Sequence, residues 1–309
     1  MSRRLVIGSR GSKLAMWQAE QARARLLALY PEVDVQIEII KTTGDVKTDP
    51  LSVIGGKGVF TKELEDALLD RRIDLAVHSL KDLPTVLPDG LTISAICQRD
   101  DPRDALVVRD DLKARGGSIL NLPEKAVVGT SSQRRVAQLK ALRGDVVIRD
   151  VRGNVDTRLR KLDEGQYDAL ILASAGLRRL ELESRIDAAI STAEMVPAVG
   201  QGAIAIETRA DDEFAIETTG SLDHEETRLC CLAERAFLRS LGGGCQFPIA
   251  GHAIIDEEQL RLDGLVATPD GAKILRDQLS GSQANPDEIG SSLAALLIER
   301  GAHSLLNPR

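Results

Sequence analysis

Aromatic residues are scarce in this chain of 309 residues, which holds four Phe, two Tyr and one Trp. Its cores must be built from Leu, Ile, Val and Ala, and the stacking platforms that hold nucleic-acid bases have little to be made of. No nucleic-acid partner is expected. The four cysteines, Cys97, Cys230, Cys231 and Cys245, are too few and too irregularly spaced for a disulfide framework or a CxxC metal site. Reduced thiols and no metal are the expectation. No run approaches the eighteen or so apolar residues of a membrane span, and Leu5 to Ile7 before Gly8 is too short for a signal-peptide core. The chain reads as cytoplasmic, with no membrane partner and, lacking an exposed apolar stripe, as a monomer.

What is present is ordinary globular composition, 43% hydrophobic and 28% charged, in a length that suits two or three domains. The net charge of −7 conceals an asymmetry. Residues 130–180 hold eleven Lys or Arg against six acids, a charge of +5, so the remainder carries −12. Most of those cations are arginines, whose rigid fork suits bidentate recognition of carboxylates or phosphates. A polyanionic small ligand fits this pattern, although charge alone is equally met by solvated helix faces.

Residues 3–96 read strand, helix, strand, helix, strand in the α/β manner. Leu5 to Ile7 form a buried strand, Ser12 caps a helix that Pro31 stops, and Val33, Val35, Ile37 and Ile39 alternate as a half-buried strand does. The glycine-rich stretch from Thr42 to Gly58 is expected to be a lid-like loop. A helix over 59–69 and a strand over 73–77 lead to His78-Ser79-Leu80-Lys81-Asp82-Leu83-Pro84, just past a strand end, where open α/β sheets place ligands. A second α/β unit follows Asp101-Pro102-Arg103, with strands at 126–129, 146–148 and 169–172, and ends near Met195 to Gly202. The two crossings imply two lobes hinged around a cleft. After a strand at 203–207, Asp223 is expected to cap a long helix that Gly242 ends, followed by two or three strands and a last helix starting at Asn285-Pro286. The division expected is 1–99 with 200–220, 100–199, and 221–309.

Several clusters carry chemistry. Thr130-Ser131-Ser132-Gln133-Arg134-Arg135 sets hydroxyls, backbone N–H groups and two arginines at a helix N-terminus, a ready anion site, against the plain alternative of a serine cap with outward arginines. Arg10-Gly11-Ser12, Arg152-Gly153-Asn154 with Arg158, and Arg178-Arg179 repeat the device at other junctions. Asp82 beside Lys81 is either a carboxylate that accepts N–H bonds and stabilises developing positive charge, or a helix cap. Gly242-Gly243-Gly244-Cys245 displays a thiol on a backbone that only glycines follow easily, whereas Cys230 and Cys231 sit mid-helix as packing residues.

Six ordered segments together resemble the porphobilinogen deaminase family over nearly the whole chain. They are Gly8-Ser9-Arg10-Gly11-Ser12-Lys13-Leu14-Ala15, the run from Gly55 to Leu64, the run from Ala76 to Pro84, the run from Gly129 to Arg135, the run from Arg152 to Leu159, and Gly243-Gly244-Cys245. The resemblance implies two type II periplasmic-binding-protein-like lobes and a third, α+β domain carrying the cysteine. It implies that Cys245 holds a dipyrromethane cofactor by a thioether. Four porphobilinogen molecules are then added head to tail with loss of ammonia, and hydroxymethylbilane is freed by hydrolysis. By the same resemblance Asp82 is the catalytic carboxylate, bonding pyrrole N–H groups and stabilising the azafulvene cation left when ammonia departs. Ser79, Lys81, Thr130, Ser131, Ser132, Arg134, Arg135 and Arg152 would hold the cofactor together with Asp82. Arg10, Ser12, Arg152, Arg158 and Arg179 would hold substrate. Some members carry a second lysine where this chain has Val53, which leaves Lys57 as the lid cation. Two other readings compete: a non-catalytic two-lobed anion-binding protein, and a thiol acyltransferase using Cys245 with His252 as base.

Overall fold

The computed structural model describes residues 3–46, 58–115, 117–244 and 246–306. The chain divides into two compact units, Met1–Asp100 with Ala203–Arg228, and Asp101–Gly202 with Leu229–Arg309.

The first unit contains β1 (Arg4–Ser9), α1 (Lys13–Leu29), β2 (Asp34–Ile39), α2 (Thr43–Val46), α3 (Lys62–Leu69), β3 (Leu75–Ser79), β4 (Leu91–Ile96) and, from the returning chain, β10 (Ile204–Arg209) and α7 (Glu213–Gly220). Its sheet runs β2-β1-β3-β10-β4, with β10 antiparallel to both neighbours and β1 parallel to β2 and β3. Ser12 starts α1 as expected: its Oγ accepts the Ala15 N–H at 3.3 Å. The helix then buries Ala15, Ala19, Ala22 and Leu26, one stripe at helical spacing, against the sheet.

Three local expectations shift. The strand placed at 73–77 runs two residues later, because Ile73 is taken up in the apolar layer under α3 and Asp74 accepts the Val6 N–H at 2.8 Å. The helix placed at 59 begins at Lys62, after a turn in which Gly58 has φ +86° and the Thr61 N–H reaches the Gly58 carbonyl. Within the glycine-rich stretch, 43–46 is helical, and the Thr43 N–H and hydroxyl both donate to Glu63 Oε1, at 2.8 and 2.5 Å. Residues 47–57 of that stretch, Lys57 among them, lie outside the described residues.

The second unit opens with β5 (Asp104–Val108) and continues through β6 (Val127–Gly129), α4 (Gln133–Leu142), β7 (Val147–Arg149), α5 (Val155–Asp163), β8 (Ala169–Ala173), α6 (Ser174–Arg179) and β9 (Ala188–Ala189). Its sheet order, β7-β6-β8-β5-β9, repeats the plan of the first, with an antiparallel strand between the parallel set and the edge. These are the two α/β lobes that the resemblance implied.

The C-terminal part of this unit is an antiparallel meander, β11 (Ile249–Asp256), β12 (Gln259–Ala267) and β13 (Ile274–Ser282). It packs with α8 (Glu225–Ser240), α9 (Pro286–Glu299) and α10 (Ala302–Leu306) around the fully buried Phe237. Pro286 occupies the first helical position of α9, where its missing N–H costs nothing. Asp223 does not cap α8: its Oδ1 accepts the Ile96 N–H at 2.7 Å and its Oδ2 accepts from Arg228 Nε at 2.7 Å. Ala137 and Val196 of the lobe form one apolar cluster with Ala250, Leu265 and Ala267 of the meander, and the Gly251 N–H donates to the Pro197 carbonyl. These contacts join the meander to the lobe as one unit.

Candidate functional site

In the first unit, one pocket gathers side chains from three junctions. Arg10 and Ser12 come from the turn between β1 and α1, Phe60 and Thr61 from the entry to α3, and His78, Ser79 and Asp82 from the end of β3 and the turn after it. The motif that begins at His78 straddles the strand end, with His78 and Ser79 still in β3 and Leu80–Asp82 forming a 3₁₀ turn. Leu80 and Leu83 are buried on either side, and the Leu80 N–H bonds to the Ala203 carbonyl, so the exposed Asp82 is held out on a pinned turn. The Arg10 guanidinium lies 4.3 Å from the Phe60 ring centroid, an arrangement that fixes a flexible cation at the pocket wall. Ser79 Oγ accepts from Gln18 Nε2 at 2.9 Å, and Thr61 is buried at the entry to α3. The pocket thus combines a cation, a carboxylate and hydroxyls within one lobe.

The second unit brings together the other cluster. Ser132 stands at the N-cap of α4 with an extended backbone and no side-chain cap bond, while Ser131 Oγ donates to the Val151 carbonyl at 2.8 Å and Thr130 Oγ1 accepts the Ser132 N–H. Arg134 and Arg135 turn inward, unlike the outward arginines of the plain alternative. Arg134 donates through Nη1 and Nη2 to the two oxygens of Asp104 at 2.6 and 3.2 Å, and Arg135 donates through Nε and Nη2 to Oδ1 at 3.0 and 2.7 Å. Gln201 Nε2 adds a third donor group at 2.9 Å. Burial alone would raise the Asp104 carboxyl, but the two guanidinium groups outweigh it and hold the group well below the usual carboxylate range.

The other arginines differ in their surroundings. Arg152 is half-buried before the turn at Gly153, whose φ of +108° suits glycine. Arg158 Nε donates to the Gly153 carbonyl at 2.8 Å, inside α5, which Asn154 caps through the Thr157 N–H. Arg179 is buried, with Nη2 donating to the Gly202 carbonyl at 2.6 Å. Cys97, Cys230 and Cys231 are buried, and Cys245 lies outside the described residues. The structure therefore collects Arg10, Ser12, Ser79 and Asp82 in one lobe and Thr130, Ser131, Ser132, Arg134 and Arg135 in the other. Asp104, Gln201 and Glu207 were not singled out from sequence. The apolar run Ala105 to Val108 marks β5, but nothing local pairs its first residue with a helix thirty residues on.

Among the described residues no helix is long and apolar enough to cross a membrane, and no group of His, Cys, Asp and Glu could hold a metal ion.

Residues 5–217 match the family described as "Porphobilinogen deaminase, dipyromethane cofactor binding domain", and residues 228–299 match "Porphobilinogen deaminase, C-terminal domain". The chain is similar to the protein named porphobilinogen deaminase of Chromobacterium violaceum, 50% identical over 304 residues, 98% of this chain and 97% of that one. It is similar to its namesake in Nitrosomonas europaea, 50% identical over 305 residues, again 98% and 97%. Among solved structures, the periplasmic aliphatic sulphonate binding protein SsuA from Escherichia coli aligns at a TM-score of 0.42 and 14% identity, over 78% of this chain and 75% of that one.

Proposed function

The chain belongs to the porphobilinogen deaminase family, and from that premise we propose which of its residues do the work. The enzyme is a transferase of tetrapyrrole biosynthesis that joins four porphobilinogen molecules head to tail on a dipyrromethane primer, releasing ammonia, and hydrolyses off hydroxymethylbilane. The observation that carries the assignment of roles is the pocket in which Asp82 is displayed beside Arg10, Ser12 and Ser79. An exposed carboxylate on a pinned turn accepts N–H bonds and stabilises positive charge as ammonia leaves the substrate, without needing to give up a proton. Asp82 is the catalytic carboxylate in this reading. Arg10 and Ser12 hold an acidic arm of the substrate, with Arg152, Arg158 and Arg179 as further carboxylate partners.

The residues of the second lobe fit a carboxylate-rich cofactor. Two guanidinium groups on the single carboxylate of Asp104 leave a net positive charge, Arg134 Nε is buried with no hydrogen-bond partner among the described residues, and the Ser132 side chain makes no cap bond at the N-terminus of α4. Thr130, Ser131, Ser132, Arg134, Arg135 and Arg152, with Ser79 and Lys81 of the first lobe, form its binding set, Cys245 is its thioether anchor, and Lys57 is the lid cation. When bound, the dipyrromethane supplies the pyrrole on which the chain is built. The chain is organised as 1–99 with 200–220, 100–199 and 221–309, acting as a cytoplasmic monomer.

The test is turnover: purified protein given porphobilinogen is expected to release four ammonias for each hydroxymethylbilane formed. Binding of porphobilinogen without ammonia release would favour a non-catalytic anion-binding protein.

A further inference from the structure

A buried group of three titratable side chains lies behind the pocket wall. In the antiparallel pairing of β3 with β10, His78 stands opposite Ala205 and Ala76 opposite Glu207, which makes His78 and Glu207 diagonal neighbours on one face of the sheet. His78 Nε2 is 2.9 Å from Glu207 Oε2, with the two side chains 4% and 0% exposed. Glu65, on α3, is buried near both. The layer around them holds Leu64, Ala67, Leu68, Ile73 and Ala76, with the buried Arg209 donating to the Leu68 and Ile73 carbonyls. Two carboxyl groups and an imidazole in such a layer cost stability relative to apolar residues of the same size, and Glu65 Oε1 and Glu207 Oε1 find no hydrogen bond among the described residues. Their presence calls for a use.

Burial, reinforced by the charge of Glu207, pushes the Glu65 carboxyl up. A carboxylate oxygen on Nε2 accepts from it, so the contact selects the imidazole tautomer with hydrogen on Nε2. Of the three residues only His78 reaches the pocket that holds Asp82 and Arg10. With Nε2 turned back to Glu207, Nδ1 is the ring nitrogen left for a ligand.

We propose that His78 is a substrate-binding residue, oriented by Glu207, whose Nδ1 accepts a hydrogen bond from an N–H donor of the substrate, either the pyrrole N–H or the amine that leaves as ammonia. Glu207 is then a positioning residue that acts through the imidazole. This inference rests on the functional reading above. The charged and titratable groups around the ring are Glu207 from β10, Glu65 from α3, and Asp82 and Arg10 in the pocket.

Nitrogen NMR of histidine-labelled protein without substrate is expected to show His78 as the Nε2–H tautomer at pH 7.5, and Glu207→Gln is expected to lose that preference. In steady-state kinetics His78→Phe is expected to raise KM for porphobilinogen about tenfold, the worth of one hydrogen bond, with kcat little changed. His78→Asn, whose Oδ1 takes the place of Nδ1, is expected to recover most of that loss. An Nδ1–H tautomer, or a KM unmoved in a folded His78→Phe protein, overturns the proposal. A wild-type protein that does not consume porphobilinogen overturns it together with the functional reading, and the substrate-free NMR spectrum then tells the two failures apart, because it reports the Glu207 contact alone.

Discussion

Arg134 Nη1 donates to Asp104 Oδ2 at 2.6 Å, and Arg135 Nη2 donates to the other oxygen of the same carboxylate at 2.7 Å. The same Asp104 accepts from Gln201, whose Nε2 also donates to the Pro102 carbonyl, and Arg134 further donates to the Val196 carbonyl. One carboxylate therefore ties the first turn of α4 to both segments by which the chain enters and leaves this lobe.

Replacing Asp104 by Asn leaves two buried guanidinium groups on a neutral amide, and the expected loss is about 3–5 kcal/mol of unfolding free energy in urea. The pH dependence has a definite sign. Because the folded Asp104 carboxyl lies below its ordinary value of 3.8, its contribution is full above that value and lost as pH falls through the folded one. Below about pH 4, wild-type stability is expected to fall more steeply than that of Asp104→Asn. Parallel curves would show that the triad carries no such linkage.

Asp82 sits on an exposed turn whose anchors are Leu80 and Leu83, so Asp82→Asn is expected to leave the thermal unfolding temperature unchanged. Its turnover is expected to drop by about 10²–10³-fold or more, the scale of a lost electrostatic stabiliser. Normal turnover in that variant removes Asp82 from the mechanism.

Much of this framework can be read along the chain. Ser12, Pro286 and Gly242 act at helix ends through local geometry, and local geometry is what a sequence displays. Cys230 and Cys231 read as packing residues because they fall mid-helix, and they are buried on α8. What sequence does not display is pairing at a distance. Asp104 is thirty positions from Arg134, and Glu207 is 129 from His78, so neither partner could be assigned before the sheets were known. β5 was missed for a related reason: its strand signal follows directly on Asp101-Pro102-Arg103, a linker pattern, and its place between β8 and β9 is set by the returning chain.

Gly290, in α9, lets two helices approach closely. A Cβ built there would lie 2.2 Å from the Ala233 carbonyl oxygen of α8 and 2.7 Å from the Ala236 methyl group. Alanine is the better helix former by about 1 kcal/mol, yet the clash is with backbone and outweighs it. Gly290→Ala is expected to lower stability by about 1–3 kcal/mol in chemical denaturation. A stabilised variant would mean that α8 and α9 are spaced more widely.

The acyltransferase reading makes His252 an essential base. On the deaminase account His252, half-buried on β11, takes no part in the chemistry, and His252→Ala is expected to keep kcat within about twofold. Abolished turnover in a folded variant would reverse that ranking.

The central claim is a covalent primer on Cys245, and the intact mass of the freshly purified protein beside that of Cys245→Ser tests it most directly. The account predicts an excess equal to two porphobilinogens less two ammonias in the wild type, absent from the variant. An unmodified wild-type mass that stays unmodified after incubation with porphobilinogen would contradict it.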